Sequence, residues 1–432
     1  MKHLDYLRLA IPLVISTITQ PILGAVDTAV VGHLNNSVYI GGVAIGTVIF
    51  NTIYWLFGFL RVSTSGFTAQ ADGRGSEKDL TLSFLRPFLL AVLIGSSIII
   101  LQYPVKMVVS SLYGDSREVL NSALSYFEIL VWGAPFVLIS YVNIGWLMGK
   151  RLIRETLFLQ ISTNVLNIFL DVMFVIFLGF NVRGVALATL ISQIYGFIVG
   201  FIIIYKSLDG MEILKFIPEA IHLKALKKIF TVNSDLMIRT ICLLTMTNIF
   251  MKQSAEFGKD LLAANAILFQ IQYIISYFFD GFANASSIFA GRFKGAGDKK
   301  SLDSVIAISN LYSLIIAILT ATIMIVAGDK IFGLFTDLNQ IIDLCIDYKI
   351  WLIIFPFSIG YGLILYGLYT GCTLTGPVRN SLLAALGVFM LIRSVAIPMI
   401  GNHGLWLAFI LFSLTRSLYL YMSRKKLFLN IE

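Results

Sequence analysis

The stretch FTAQADGRGSEKDL at residues 67–80 has an altered copy later in the chain, FAGRFKGAGDKKSL at residues 289–302. Two glycines correspond between the copies at one and the same offset along the chain: Gly73 with Gly295, and Gly75 with Gly297. Three further pairs match in the same order at nearly this offset: Ala44-Ile45 with Ala266-Ile267, 132–140 with 353–361, and 180–192 with 400–413. Four ordered matches at nearly one offset predict that the chain contains two tandem repeats.

The composition places both repeats in a membrane. Of the 432 residues, 58% are hydrophobic and only 13% are charged, whereas soluble domains are about 25% charged. Apolar runs of about 20 residues, the length that crosses a bilayer core about 30 Å thick, recur along the chain. We therefore predict an all-α integral membrane protein with twelve transmembrane helices in two six-helix repeats. The predicted span centres are Gln20, Ile53, Ile98, Pro135, Asn167, Ser192, Thr245, Tyr273, Ile315, Phe357, Phe389 and Phe412.

The basic residues indicate how the chain is oriented and divided. Lys and Arg cluster in loops that follow even-numbered spans, which predicts that both termini are cytoplasmic. The same clustering explains the net charge of +8 without nucleic-acid binding. We interpret the polar stretch 206–228 as containing the linker between the two repeats. The predicted domains are an N-lobe with helices 1–6 at 1–210, a cytoplasmic linker at 211–228, and a C-lobe with helices 7–12 at 229–432. Such parallel repeats are expected to be related by an axis along the membrane normal, with a substrate cavity between them.

Two acidic residues lie within predicted spans of the first half. Asp27 is part of PILGAVDTAVVGHL at residues 21–34, and Asp171 follows Asn167 by four residues on one helix face. Intramembrane acids are candidate functional residues. Because burial disfavours the charged form of a carboxyl group, such a pair could bind and release protons, or hold Na⁺ together with Asn167. A structural role as a cap or ion pair is the alternative for either acid alone. Pro12 removes a backbone hydrogen bond in the first helix and could allow it to bend.

Other polar residues in the spans have more than one interpretation. Four of them, in the first half, could either line a site or hold helices together: Gln20, Tyr126, Asn143 and Thr189. The second half has Arg239, Asp280 and Arg393 in its spans. These three residues could form a structural ion pair or contact an anion. The asymmetry predicts that ion coupling resides in the N-terminal half.

Enzymatic chemistry has no visible basis in the sequence. There is no HExxH, GxSxG or Cys/His cluster, and the glycine-rich loops lack the Gly-Lys-Ser/Thr of a phosphate-binding loop. The three cysteines are scattered within apolar segments and fit no zinc or disulfide spacing. We therefore expect no enzyme activity and no cofactor or bound metal beyond a coupling ion.

Pro12, the PILGAVDTAVVGHL segment, the doubled glycine loops and Asn167-x-x-x-Asp171 together resemble the multidrug and toxic compound extrusion (MATE) family over about residues 1–425. The resemblance implies a V-shaped, two-lobed transporter that alternates access and exports organic, often cationic compounds in exchange for H⁺ or Na⁺. It assigns four residues to the cation or proton site: Asp27, Asn167, Asp171 and Thr189. Asn143 and Tyr126, with Gln20 as a weaker candidate, would line the substrate cavity, and Pro12 would be the helix bend.

One departure favours a branch of that family. A NorM-like member carries acidic residues in the seventh and tenth helices, whereas this chain has Arg239 in the seventh and no acid in the core of the tenth. It therefore resembles the DinF-like branch, and proton coupling through the N-lobe is the leading hypothesis. Na⁺ coupling at the same residues, flipping of a lipid-linked precursor, and a non-transporting scaffold remain alternatives. We expect a monomer in a bacterial inner membrane, surrounded by lipid, with small organic compounds as substrates.

Overall fold

The computed structural model describes residues 2–32, 37–112, 117–208, 213 and 215–428; for 19–32, 37, 112 and 223–225 it describes the backbone alone. Within these residues all regular structure is helical. The first ten helices are α1 (His3–Gly32), α2 (Ser37–Phe57), α3 (Phe59–Arg74), α4 (Glu77–Ile100), α5 (Gln102–Leu112), α6 (Arg117–Leu130), α7 (Ala134–Gly149), α8 (Ile153–Asp171), α9 (Asn181–Ser207) and α10 (Ile217–Ala220). The others are α11 (Leu223–Glu256), α12 (Lys259–Gly295), α13 (Lys299–Phe332), α14 (Asn339–Gly371), α15 (Thr375–Ile400) and α16 (Asn402–Met422).

The predicted all-α membrane fold with twelve spans is confirmed. Eleven segments of the described chain are long and apolar enough to cross a membrane, and the 30-residue α1 supplies the twelfth. Three of the eleven combine consecutive helical pieces: Val38–Arg74, Arg117–Gly149 and Ile153–Phe177. The predicted centre of the third span, Ile98, lies only two residues before the end of α4, because the apolar run continues into the separate helix α5.

The helices form two compact units, and the chain passes from one unit to the other inside α1 and again inside α11. We call Thr19–Phe230 the N-unit, and Met1–Ile18 together with Thr231–Glu432 the C-unit. The sequence-based division placed residues 1–18 with the first six helices. The structure differs there because side chains at the beginning of α1 are built into the C-unit.

Tyr6 provides the main anchor of that first segment. Its side chain is completely buried, and its ring stacks on Tyr312 of α13 at a centroid distance of 5.5 Å. Its hydroxyl shares a 2.7 Å hydrogen bond with Ser286 Oγ. Further along α1, Thr17 Oγ1 donates to the Tyr277 carbonyl at 3.1 Å. These contacts with α12 and α13 explain why the segment packs with the C-unit.

The internal repeat is visible in helix packing as well as in sequence. On α7, a Cβ added at Gly145 or Gly149 would press on the backbone of α3 at Arg61 and Ser65. On α14, the equivalent positions press in the same way on the backbone of α12: Gly367 on Ala283, and Gly371 on Ser287. All four correspondences have the same offset as the paired glycine loops. Small residues four apart let two membrane helices approach closely, so both units use the same device.

Each unit has its own apolar core. In the N-unit the core includes Phe50 and Phe127, whose rings stack at 5.3 Å. In the C-unit Trp406 is completely buried beside Phe250, with ring centroids 5.1 Å apart. The core of the C-unit also contains a polar knot centred on Asn265, which is hydrogen-bonded to Ser254, Asn402 and Trp406.

The predicted linker is only partly a linker. Within its described residues, α10 forms a single turn whose Ala220 is buried against Leu82 and Leu85 of α4. An ion pair between Lys78 Nζ and Glu219 Oε2, 2.6 Å long, holds the same turn. The stretch 223–228, predicted to belong to the linker, is instead the beginning of α11.

Candidate functional site

A polar stripe runs along α8 in the N-unit. Its residues follow the 3–4 spacing that brings side chains onto one helix face: Gln160, Thr163, Asn164 and Asn167. A second stripe with the same spacing lies on α9: Thr189, Ser192, Gln193 and Gly196. Polar faces of membrane helices avoid lipid by turning toward protein or a cavity, and here both stripes face the same space.

That space is a cavity of about 260 Å³ within the N-unit. Tyr54 of α2 and Ser140 and Tyr141 of α7 complete its polar wall, and Val137, Ile144 and Leu159 supply apolar surface. The lining side chains carry hydroxyl, amide and aromatic groups and no formal charge. A mostly preformed hollow with a few convergent polar groups is typical of a small-molecule site.

Ser140 contributes a buried hydroxyl group to the wall. Ser140 Oγ is buried and has no hydrogen-bonding partner in the described part of the chain, whereas the hydroxyl of Tyr54 interacts with the side chain of Gln193. Buried polar atoms are nearly always paired in folded proteins. The hydroxyl of Ser140 therefore lacks the pairing that buried polar atoms usually have.

Asp171 lies one turn beyond the cavity and is connected to it through Asn167. Asn167 Nδ2 donates a 3.1 Å hydrogen bond to Asp171 Oδ2, and Asp171 is only 1% exposed. The helix changes immediately after this carboxylate, since Val172–Phe177 is a π-helical segment. Such wide turns inside helices are frequent at functional sites. Asn167 thus links the wall of the cavity to the buried carboxylate.

The remaining predicted residues are distributed unevenly. Thr189 lies on the cavity wall and donates to the Val185 carbonyl at 3.0 Å. Asn143 is completely buried on α7, where its amide donates to the Phe197 carbonyl at 3.3 Å. Tyr126 packs in the apolar core beside Phe50. Neither Asn143 nor Tyr126 belongs to the wall of the cavity described above, and their predicted contact with substrate stays a prediction.

Three predicted residues lie on α1. Pro12 is half-buried within the helix, in the segment that packs with the C-unit. The backbone of Gln20 and Asp27 belongs to α1, but their side chains lie outside the described residues. The proximity of the two carboxyl groups, Asp27 and Asp171, therefore remains a prediction from the sequence.

The structure separates Arg393 from the other two charged residues noted in the second half, because Arg239 and Asp280 both act on Arg416. Arg393 Nη1 is 3.5 Å from Gln253 Oε1, whereas Arg239 lies over the ring of Tyr366 on α14, 4.2 Å from its centroid. Asp280 acts electrostatically on Arg416 of α16, a residue that sequence reasoning did not single out. Among the described residues no group of three or more His, Cys, Asp or Glu could hold a metal ion.

Comparison with known proteins identifies the family. The MatE family model matches two segments of the chain, residues 12–173 and 236–395, one in each predicted repeat. The chain belongs to the MATE family. The double match agrees with the repeat, and membership confirms that the protein is a transporter and not an enzyme.

The relatives of this MATE transporter include the branch expected from the sequence. It is 36% identical to DNA damage-inducible protein F of Escherichia coli K12, over 96% of this chain and 90% of that protein. It is 24% identical to the probable multidrug resistance protein NorM of Thermotoga maritima, over 98% and 92% of the two chains. The fold matches a MATE transporter of Vibrio cholerae with a TM-score of 0.86 at 16% identity, covering 98% of this chain and 96% of that one.

Several wall residues of the transporter escaped sequence analysis, although a signal was present. The i, i+3, i+4, i+7 pattern of polar residues from Gln160 to Asn167 marks a continuous helix face. The polar residues Thr189, Ser192 and Gln193 repeat the first three positions of this pattern on α9, and Gly196 occupies the fourth. Applying the helical period to polar residues, and not only to acids, would have found both stripes. Tyr54 had no such signal, because its contribution depends on how α2 packs.

Proposed function

We propose that this MATE transporter exports small organic compounds, cationic or amphipathic, in exchange for protons. The observation that carries the proposal is the Asn167–Asp171 pair, which joins a polar cavity to a buried carboxylate. In this mechanism Asp171, together with Asp27, takes up a proton in one access state and releases it in the other. Thr189 and Asn167 supply oxygen and amide groups beside them.

The cavity suits neutral or delocalised cationic guests. Its hydroxyl and amide groups can exchange hydrogen bonds with a ligand, and aromatic faces such as those of Tyr54 and Tyr141 can attract an organic cation. Because no lining side chain is charged, a bound compound does not have to neutralise a charge in the cavity wall. The names of relatives such as the probable multidrug resistance protein NorM support drug-like substrates.

Proton uptake changes the balance of interactions at this wall. With Asp171 ionised, the Asn167 amide is held by a charged acceptor, which makes the hydrogen bond stronger than a neutral one. With Asp171 protonated, that bond weakens and the amide can turn to a guest in the cavity. Ligand binding and protonation are thereby coupled through one side chain.

Transport in proteoliposomes tests the proposal. Purified protein is reconstituted without Na⁺, and uptake of a fluorescent organic cation such as ethidium is driven by an imposed pH gradient. We expect robust transport for the wild type and at least a tenfold loss for both Asp27→Asn and Asp171→Asn. Asp329→Asn, which removes an exposed carboxylate paired with Lys349, serves as the matched control and should transport normally.

The other outcomes separate the alternatives. Transport driven only by a Na⁺ gradient would retain the site and replace the coupling ion. Unchanged proton-driven transport in both variants would show that the two carboxyl groups have structural roles. Absence of transport under any gradient would favour the scaffold. We further propose a monomer in the inner membrane with cytoplasmic termini, testable by sizing in nanodiscs and by protease protection of terminal tags.

A further inference from the structure

Two arginines of the C-unit converge on one tyrosine ring. Arg239 of α11 has its guanidinium carbon 4.2 Å from the centroid of Tyr366, and that of Arg416 of α16 is 5.6 Å from the same centroid. Tyr366 lies on α14, so three helices contribute to the cluster. Two like charges within reach of one ring repel each other, and an interior normally avoids such an arrangement.

The guanidinium groups are not fully paired. Arg416 is only 3% exposed, and its Nε and Nη2 are buried without a hydrogen-bonding partner in the described part of the chain. Nε of Arg239 is also buried and has no partner there. A buried charge with unsatisfied donors is costly unless something pairs with it. The donors therefore point to a missing acceptor.

Close helix packing keeps Arg416 in this position. The neighbouring Ser417 Oγ donates to the Ser358 carbonyl of α14 at 2.7 Å. A side chain at Gly362 would press directly on Ser417. Because α14 and α16 touch at this level, the backbone that carries Arg416 is held close to α14.

The local acids do not balance the two cations. Asp280 is the carboxylate that acts on Arg416, and it is a single negative charge in a cluster with two guanidinium groups. The buried acid of the described C-unit, Asp235, is engaged elsewhere by Arg379 Nη1 and Thr375 Oγ1, each at 2.8 Å. Among the side chains that the structure describes, the cluster thus has two guanidinium groups and one carboxylate.

We propose that Arg239, Arg416 and the ring of Tyr366 form an anion site inside the C-unit that takes an oxyanion group. A guanidinium presents its donors in a planar fork that matches the two oxygens of a carboxylate or phosphate. The aromatic ring beside both forks can pack against the rest of an organic anion. The oxyanion belongs either to a free organic acid or phosphate, or to the head group of an anionic lipid. All three residues belong to the C-unit.

Thermal unfolding of the purified full chain with defined probes tests the site. In nanodiscs of phosphatidylcholine, the probes are benzoate and inorganic phosphate, with choline chloride as an ionic-strength control. In a second arm, nanodiscs of phosphatidylcholine are compared with nanodiscs containing phosphatidylglycerol. We expect at least one oxyanion to raise the unfolding midpoint of the wild type, with an apparent Kd that weakens at least tenfold in Arg239→Gln and Arg416→Gln. A tenfold change corresponds to about 1.4 kcal/mol.

Four further variants serve as controls. Arg393→Gln removes another arginine from a span of the same unit and should bind the probe like the wild type. Tyr366→Phe keeps the ring and should retain binding, whereas Tyr366→Leu should weaken it. If Arg416→Gln fails to fold, Arg416→Lys, which keeps the charge but loses the fork, replaces it and should weaken binding at least threefold.

The outcomes are decisive in each arm. A response to benzoate or phosphate that the arginine variants lose identifies a free anion, and a response confined to phosphatidylglycerol that they lose identifies a lipid head group. A midpoint that no probe moves, or a shift that Arg239→Gln and Arg416→Gln both retain, overturns the proposal. Neither result bears on proton coupling, which Asp171→Asn tests separately.

Discussion

Replacing Asn167 with alanine is the most informative single perturbation of the N-unit site. The substitution removes the amide that donates to Asp171 Oδ2 at 3.1 Å and leaves the carboxylate where it is. Asp171 is nearly completely buried, so water does not readily take the place of the lost donor. The variant therefore probes the link between cavity and carboxylate without deleting either.

The size of the effect follows from the type of bond. A hydrogen bond to a charged group contributes about 1.5–3 kcal/mol, and about 1.4 kcal/mol is a factor of ten in an equilibrium constant. Losing the bond should thus disfavour the ionised form of Asp171 by a factor of about 10 to 100. A proton-coupled cycle must pass through that form once per turn, so proton-driven export should slow by about the same factor.

Asn164→Ala provides the matched control. Asn164 lies on the same helix and the same cavity wall, but the hydrogen bond to Asp171 comes from Asn167. Export of ethidium from proteoliposomes under one fixed pH gradient should fall at least tenfold for Asn167→Ala and less than threefold for Asn164→Ala. Equal losses in the two variants would mean that the amides act only as wall, and no loss in either would refute the link.

Three other predictions concern the architecture that holds the sites. Gly371→Ala should destabilise the protein by about 1–3 kcal/mol through overpacking against Ser287, whereas Gly387→Ala, whose Cβ meets nothing within 4 Å, should leave thermal unfolding in detergent unchanged or slightly improved. Asn265→Leu should cost about 2–4 kcal/mol, because the partners in its knot are left buried and unpaired; an unchanged midpoint would contradict this. Asp298 caps α13: its side chain accepts a hydrogen bond from Ser301 N at 2.9 Å, and hydrogen bonds to Ser301 lower its pKa. The cap should stabilise the protein fully above the ordinary carboxyl pKa, and this stabilisation should be lost as the pH falls through the lowered pKa. In a pH series of unfolding midpoints, Asp298→Asn should abolish this contribution to the acid dependence.

The charged residues of the C-unit show how a sequence can suggest chemistry without locating it. Arg239 and Arg393 were both candidates for an ion pair or an anion contact. The structure places Arg393 beside Gln253 and brings Arg239 to Tyr366 and Arg416. Since α11, α14 and α16 are far apart in the chain, only their packing reveals that the residues meet.

Properties that depend on neighbours along the chain could be read from the sequence. The twelve membrane spans follow from the length of apolar runs, and the double repeat follows from motifs at a nearly constant offset that reappear as matching glycine contacts. The sequence also placed Asn167 and Asp171 on one helix face, because a separation of four residues is about one helical turn, and the structure joins them by a hydrogen bond.

Properties that depend on contact between distant helices were decided by the tertiary structure. Residues 1–18 pack with the C-unit because Tyr6 fills a site between α12 and α13. The cavity closes only when Tyr54 of α2 joins the walls of α7, α8 and α9. A helical period states which side chains share a face, but the face that each helix turns to its neighbours is set by packing of the whole unit, and the polar sites of this transporter form where those faces meet.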